Sequence, residues 1–229
     1  MKITEILSQE KPVLSFEVFP PKKESVYETV EQAAVEIARL SPSFMSVTYG
    51  AGGGTSQYTA DLAACLEKKY GVTSMAHLTC VSSTREHVRG VVERLRENGI
   101  ENILALRGDI PSDGHVEKDY SHASDLAAEL AAMGDFCIGG ACYPEGHPEA
   151  DSLLHDVENL RIKQAAGAEH LLTQLFFDNM HFYRFLNLAR RAGITLPVSA
   201  GVMPIVKRSQ IERTVSLSSA SLPSEFTRM

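Results

Sequence analysis

A glutamate inside an apolar run is the first residue of this chain that could do chemistry. Glu17 lies in VLSFEVF (13–19), a strand-like stretch closed by Pro20 and Pro21. With Phe16, Val18 and Phe19 around it, the carboxyl would be partly desolvated, and desolvation raises a carboxyl pKa. A glutamic acid still protonated near neutral pH is a general acid. The structural alternative is an ion pair with an arginine or lysine. Arg107-Gly108-Asp109 closes a second apolar run, NILALRGD (102–109). It offers a cation for phosphates beside a carboxylate for a cationic or hydrogen-bonding ligand, or simply an ion pair. Gln174, in TQLFFD (173–178), is an amide in an apolar setting and needs a partner in protein, water or ligand. Asp156, Asn159 and Lys163 recur at helical spacing in DVENLRIK; alone, such a face is normally just solvated. YPEGHPEA (143–150) holds two glutamates and a histidine in a proline-punctuated loop, where solvated charge is a sufficient reading.

Several familiar sites are excluded. GAGGGTS (50–56) follows a strand and precedes a helix, but a dinucleotide fingerprint starting at Gly50 would need glycine where Thr55 stands. The next strand ends in HLTC, with no acidic residue for a ribose. The glycines serve either a flexible loop or close backbone approach to a ligand. No phosphate-binding G-x-x-x-x-G-K-[ST] loop occurs. Eight histidines form no HExxH motif or tight ligand cluster, so no metal is expected. His77 and His147 fall at presumed strand ends or loops, and His87, His155 and His181 read as surface residues.

These residues need a scaffold. Seven apolar runs rich in β-branched, aromatic and leucine residues start near residues 13, 44, 73, 102, 136, 170 and 196. Between them lie stretches with apolar residues at three- and four-residue spacing. Ser83 or Thr84 can cap one helix, and Gly99, Gly134, Gly167 and Gly193 follow others at C′ positions. Strand–helix alternation means parallel strands joined by crossovers. The even spacing, and polar residues gathered at the C-terminal strand ends, favour a (β/α)₈ TIM barrel over a doubly wound sheet. Only seven units can be counted, so the expectation is one domain over residues 1–229 that lacks its last βα unit, truncated at its C-terminus.

Bulk properties suit a soluble protein that handles small molecules. The chain has 229 residues, 44% hydrophobic and 22% charged, with a formal net charge of −7. That balance argues against a nucleic-acid or acidic-membrane binder. Four cysteines without a CxxC pair read as buried thiols of a reducing cytosol. MKITEILSQEKP lacks the apolar core of a signal peptide, which makes the protein cytoplasmic in expectation.

Taken in order, SFEVFPPK, FMSVTYGAGG, AHLTC, NILALRGDIP, ACYPEGHPEA, LLTQLFFD and GVMPI resemble the methylenetetrahydrofolate reductase family in its bacterial form, a single flavin-binding barrel. The resemblance spans nearly the whole sequence. It implies an oxidoreductase in one-carbon and methionine metabolism. FAD would pass a hydride from NADH or NADPH to 5,10-methylenetetrahydrofolate, giving 5-methyltetrahydrofolate. It implies that Glu17 is the general acid, and that Asp109 sits beside flavin and folate and stabilises the cationic iminium. Gln174 and Gln210 would contact folate. The flavin positions it carries over are Thr48, Tyr49, Ala51, His77, Arg107, Gly108, Asp109, Ala123, Tyr143, His147, Ala150, Asp156, Asn159 and Lys163. Two positions depart from the family pattern: His122 stands where a tyrosine is expected, and Thr214 where a phenylalanine is common. Homo-oligomers are expected. The rival readings are a flavin-free barrel lyase or aldolase using Glu17, and an inactive truncated flavin-binding protein.

Overall fold

In a computed structural model the sequence forms strands β1 (Ser15–Val18), β2 (Phe44–Val47), β3 (Ser74–Thr79), β4 (Asn102–Leu106), β5 (Cys137–Cys142), β6 (His170–Thr173) and β7 (Val198–Ser199). Its helices are α1 (Ile3–Leu7), α2 (Tyr27–Ala38), α3 (Ser56–Tyr70), α4 (Arg85–Glu97), α5 (Ala123–Met133), α6 (Leu153–Ala165), α7 (Asn179–Arg191) and α8 (Arg208–Ser218). The structure describes residues 1–9, 11–21, 23–50, 56–110, 116–117, 119–218 and 220–224. The protein falls into two compact units, Met1–Gly139 and Gly140–Met229.

In the first unit β1, β2, β3 and β4 pair in parallel in sequence order. Cys137, at the start of β5, follows on by donating its N–H to the Glu101 carbonyl (2.8 Å). Parallel strands covered by crossover helices read as unbroken apolar runs, and β2 is buried at every position. Met45, Val47, Met75, Leu78 and Ile103 are buried with Leu62, Leu66, Val88, Val92 and Leu95. Val88, Val92 and Leu95 share one face of α4 by their spacing of four and three. Thr84 caps that helix, its side chain accepting from the His87 N–H, and Gly99 follows with φ +79, the left-handed conformation glycine tolerates best.

The N-terminal ends of these strands are tied by Asn102, which is fully buried. Its Oδ1 accepts from Ile3 N (2.9 Å), and its Nδ2 donates to Met1 O and to Ser74 O (both 3.1 Å). These bonds fix α1, an element the sequence reading does not assign.

In the second unit Gln174 N donates to Cys142 O (2.8 Å), and β6 pairs in parallel with β7. Cys142, Val157, Leu160, Leu171, Phe185, Ala189 and Ile194 form its core. Parallel strands in sequence order, each followed by a helix, are the connectivity of a (β/α)₈ barrel, of which the described residues form seven units.

The strands are shorter than their apolar runs. NILALRGD leaves the ladder after Leu106, because Gly108 takes φ +87. The run from 196 to 204 keeps only Val198–Ser199 as strand. Pro197 and Pro204 have no N–H for a ladder, and Gly201 N instead bonds the Thr173 hydroxyl (2.9 Å). Gly134 is the C-cap of α5 rather than the residue after it. Among the described residues no helix is long and apolar enough to cross a membrane.

Candidate active site

Register places the acid. Glu17 on β1 stands level with Ser46 on β2, and Ser46 with Met75 on β3. His77 follows Met75 by two residues and so points to the same sheet face. The Ser46 hydroxyl donates to Glu17 Oε2 at 3.4 Å, and His77 Nε2 lies 3.4 Å from that same oxygen. Ser46 and His77 are buried at 3% and 6% exposure, whereas the Glu17 side chain keeps 43%. The acid therefore reaches solvent or ligand from a dry base.

The two titratable groups are driven toward neutrality. Desolvation lifts the Glu17 pKa above the usual carboxylate value, and the Ser46 hydroxyl partly offsets that. Burial pushes His77 down to about 4. An ion pair would have raised the histidine instead. The 3.4 Å approach also lacks hydrogen-bond alignment, since His77 Nε2 has no hydrogen-bond partner. The contact is a neutral imidazole beside a carboxyl held toward its acid form.

This fixes a stability trend. His77 has a folded pKa below its ordinary 6.5, so the unfolded protein binds more protons between pH 6.5 and about 4. Its contribution is fully present above pH 6.5 and is lost as pH falls toward 4. Urea midpoints across that window should fall with pH, and fall less in His77→Gln.

The other predicted residues of the first unit line the C-terminal strand ends. Thr48 and Tyr49 follow β2, half-buried. The Thr48 carbonyl accepts from the Thr59 hydroxyl (2.9 Å), and the Tyr49 hydroxyl lies 3.2 Å from His87 Nε2. His87 is exposed as expected, yet it is joined to a site tyrosine. Arg107 and Gly108 are half-buried after β4, while Asp109 is exposed and open to a ligand. Ala123 is the first residue of α5, whose start is fixed by Asp125 accepting from Ser121 N and His122 N. Ala51 lies outside the described residues, as do positions 52 to 55 of the glycine loop.

Gly108 has a physical reason to be glycine. Besides its φ of +87, a Cβ there would stand 2.9 Å from Thr79 Cβ and 3.3 Å from a Val81 methyl. Gly108→Ala should cost about 1–3 kcal/mol from left-handed strain and overpacking, read as a lowered urea midpoint at unchanged slope.

The second unit carries its own cluster. Asp156, buried on α6, accepts from His147 N (3.0 Å) and so fixes the loop after β5. Tyr143 and His147 stack edge to face with centroids 4.7 Å apart. Lys163, two helical turns after Asp156, donates to the Ala141 carbonyl (2.7 Å). Burial lowers the Lys163 pKa and raises that of Asp156, and each charge opposes the other's shift. The helix face that sequence alone reads as solvated is thus turned inward at both ends, with Asn159 half-buried between them. Ala150 closes the loop, its N–H donating to His147 O (2.9 Å).

The two glutamines are engaged locally. Gln174 Oε1 accepts from Leu175 N (2.9 Å). Gln210 Oε1 accepts from Val206 N and Lys207 N (2.9 and 2.8 Å), serving the first turn of α8 as a side-chain cap. Sequence reasoning misses Ser46. Its signal is a lone hydroxyl in the apolar run FMSV, but only strand register shows that it meets Glu17. Among the described residues no group of three metal-ligating side chains occurs.

Comparison with known proteins adds ancestry. The sequence is 36% identical over 216 residues to the 5,10-methylenetetrahydrofolate reductase of Pectobacterium carotovorum, covering 94% of this protein and 72% of that one. It is 35% identical to the Escherichia coli protein of the same name, with the same coverage. It is 36% identical to methylenetetrahydrofolate reductase (NADH) 1 of Zea mays, covering 99% of this protein and 41% of that one. Among solved structures, an uncharacterized Clostridium thermocellum protein that binds two copies of 5-methyl-5,6,7,8-tetrahydrofolic acid superposes with a TM-score of 0.66. That match is 15% identical and covers 99% of this protein and 77% of the other, a likeness of fold. A family model described as methylenetetrahydrofolate reductase matches residues 2–229. With a family model matched along nearly its whole length and relatives of that name at 35–36% identity, the chain belongs to the methylenetetrahydrofolate reductase family.

Proposed function

We propose that the protein reduces 5,10-methylenetetrahydrofolate to 5-methyltetrahydrofolate, with FAD as cofactor and NADH or NADPH as hydride donor. The observation that carries this reading is Glu17, whose carboxyl is held toward its acid form at the end of β1 beside Ser46 and His77. Membership of the family supports the folate substrate.

The residues fit a flavin. His77, on β3, offers a buried ring nitrogen with no hydrogen-bond partner among the described residues. Gly108 keeps the backbone open where a side chain would collide. Arg107 and Lys163 supply cations suited to phosphates. In the first unit Thr48, Tyr49, Ala51, His77, Arg107, Gly108, Asp109 and Ala123 would hold the cofactor. In the second, Tyr143, His147, Ala150, Asp156, Asn159 and Lys163 would do so. When bound, FAD supplies the hydride chemistry.

The protein's own step is a proton transfer. Glu17 gives its proton to the folate nitrogen that leaves the methylene bridge. The carbon–nitrogen bond breaks with its electron pair going to that nitrogen, and the methylene carbon becomes a cationic iminium. Asp109, exposed after β4, would hydrogen-bond the pterin and stabilise that cation. Gln174 and Gln210 would contact folate, after exchanging their local bonds for substrate. The protein would act as one catalytic domain, as a cytoplasmic homo-oligomer.

The test is a visible absorption spectrum of the purified protein with added FAD. A bound-flavin spectrum that bleaches with NADH or NADPH supports the reading. Failure to bind FAD would favour a flavin-free lyase using Glu17.

A further inference from the structure

Among the described residues, Ser46 is the one polar side chain that stands level with Glu17 in the parallel ladder and donates to its carboxyl. It is buried, on a central strand with every position covered. A hydroxyl in that setting needs a partner, and the one it has is Glu17 Oε2 at 3.4 Å. His77 Nε2 lies 3.4 Å from the same oxygen but forms no hydrogen bond. Among the described residues Ser46 alone therefore donates to the inner carboxyl oxygen, and Glu17, 43% exposed, is left to meet substrate on its open side.

We infer that Ser46 is the positioning residue for Glu17: its hydroxyl anchors Oε2 and sets how readily the carboxyl releases its proton. The inference rests on the general-acid reading of Glu17 given above. A donor to a carboxylate stabilises the charged form. With Ser46 present, Glu17 gives up its proton to the folate nitrogen and the resulting carboxylate keeps a hydrogen bond. Without it, the carboxylate left behind has lost that hydrogen bond and the proton is held more tightly. The titratable group facing Glu17 from the neighbouring strands, among the described residues, is His77, so its imidazole signals must be followed in the same experiment.

The experiment is a carbon-13 NMR titration of glutamate-labelled protein, with and without FAD, the Glu17 carboxyl being assigned by its loss in Glu17→Gln. In Ser46→Ala the Glu17 midpoint should rise by about half to one pH unit, less than a short bond to a charged group would give, because this one is 3.4 Å long. The pH profile for reoxidation of the reduced enzyme by methylenetetrahydrofolate should move by the same amount. Ser46→Cys, which keeps the volume and a weak donor, should fall between. An unmoved or lowered Glu17 midpoint in both variants would overturn the role of Ser46. If instead the midpoint moves as expected while Glu17→Gln reoxidises at the parent rate, the general-acid reading fails and the role of Ser46 in catalysis fails with it.

Discussion

Glu17→Gln should bind FAD and be reduced by NADH or NADPH like the parent, yet lose roughly 10²–10⁴-fold in reoxidation by methylenetetrahydrofolate. The amide keeps the shape of the side chain and can still meet the Ser46 hydroxyl. What it lacks is the proton that breaks the carbon–nitrogen bond. The loss should be one of rate, not of folding. A carboxyl with a raised folded pKa contributes stability that is present below its unfolded pKa and lost as pH rises through the folded value. Above that folded value a charged Glu17 is a cost to the fold, and below it the neutral amide mimics the neutral acid, so the glutamine variant should melt no lower than the parent. An equal loss of melting temperature and turnover would assign Glu17 a structural role instead.

Asn102→Leu should do the reverse. Asn102 is fully buried at the start of β4, the opposite end of the strand from Arg107. Leucine would strand Ile3 N, Met1 O and Ser74 O, which now bond the amide. Unsatisfied buried groups cost about 1–3 kcal/mol each; with the Met1 carbonyl only partly buried, a total of roughly 3–5 kcal/mol is expected. For a protein of this size that lowers Tm by about 6–20 °C. FAD affinity measured well below the transition should stay within about twofold, because none of the three contacts lies at the ligand end. A variant that kept its stability but lost FAD would refute this separation of the two ends.

Much of this is legible in the sequence because barrel physics is repetitive. Parallel strands buried on both faces leave apolar runs, and function leaves polar exceptions at their ends. Glu17 is visible for that reason, as is Arg107-Gly108-Asp109. Strand length is less legible: Gly108 interrupts the ladder, and Pro197 has no N–H for it, inside stretches that still read as apolar. Partnerships between strands are invisible. Ser46 is an ordinary serine until register sets it beside Glu17, and Asn102 an ordinary strand start until it meets α1. Lys163 reads as part of a solvated face because spacing does not show which side of α6 the core covers; its bond to the Ala141 carbonyl does. Gln210 reads as a ligand contact, and the structure adds a local duty at the start of α8.

The measurement that tests the central claim most directly is anaerobic stopped-flow reoxidation of the FAD-loaded, reduced protein by methylenetetrahydrofolate, parent against Glu17→Gln. The general-acid role predicts rapid return of the oxidised flavin spectrum in the parent at neutral pH and a loss of at least about two orders of magnitude in the variant. Equal rates in the two would contradict it.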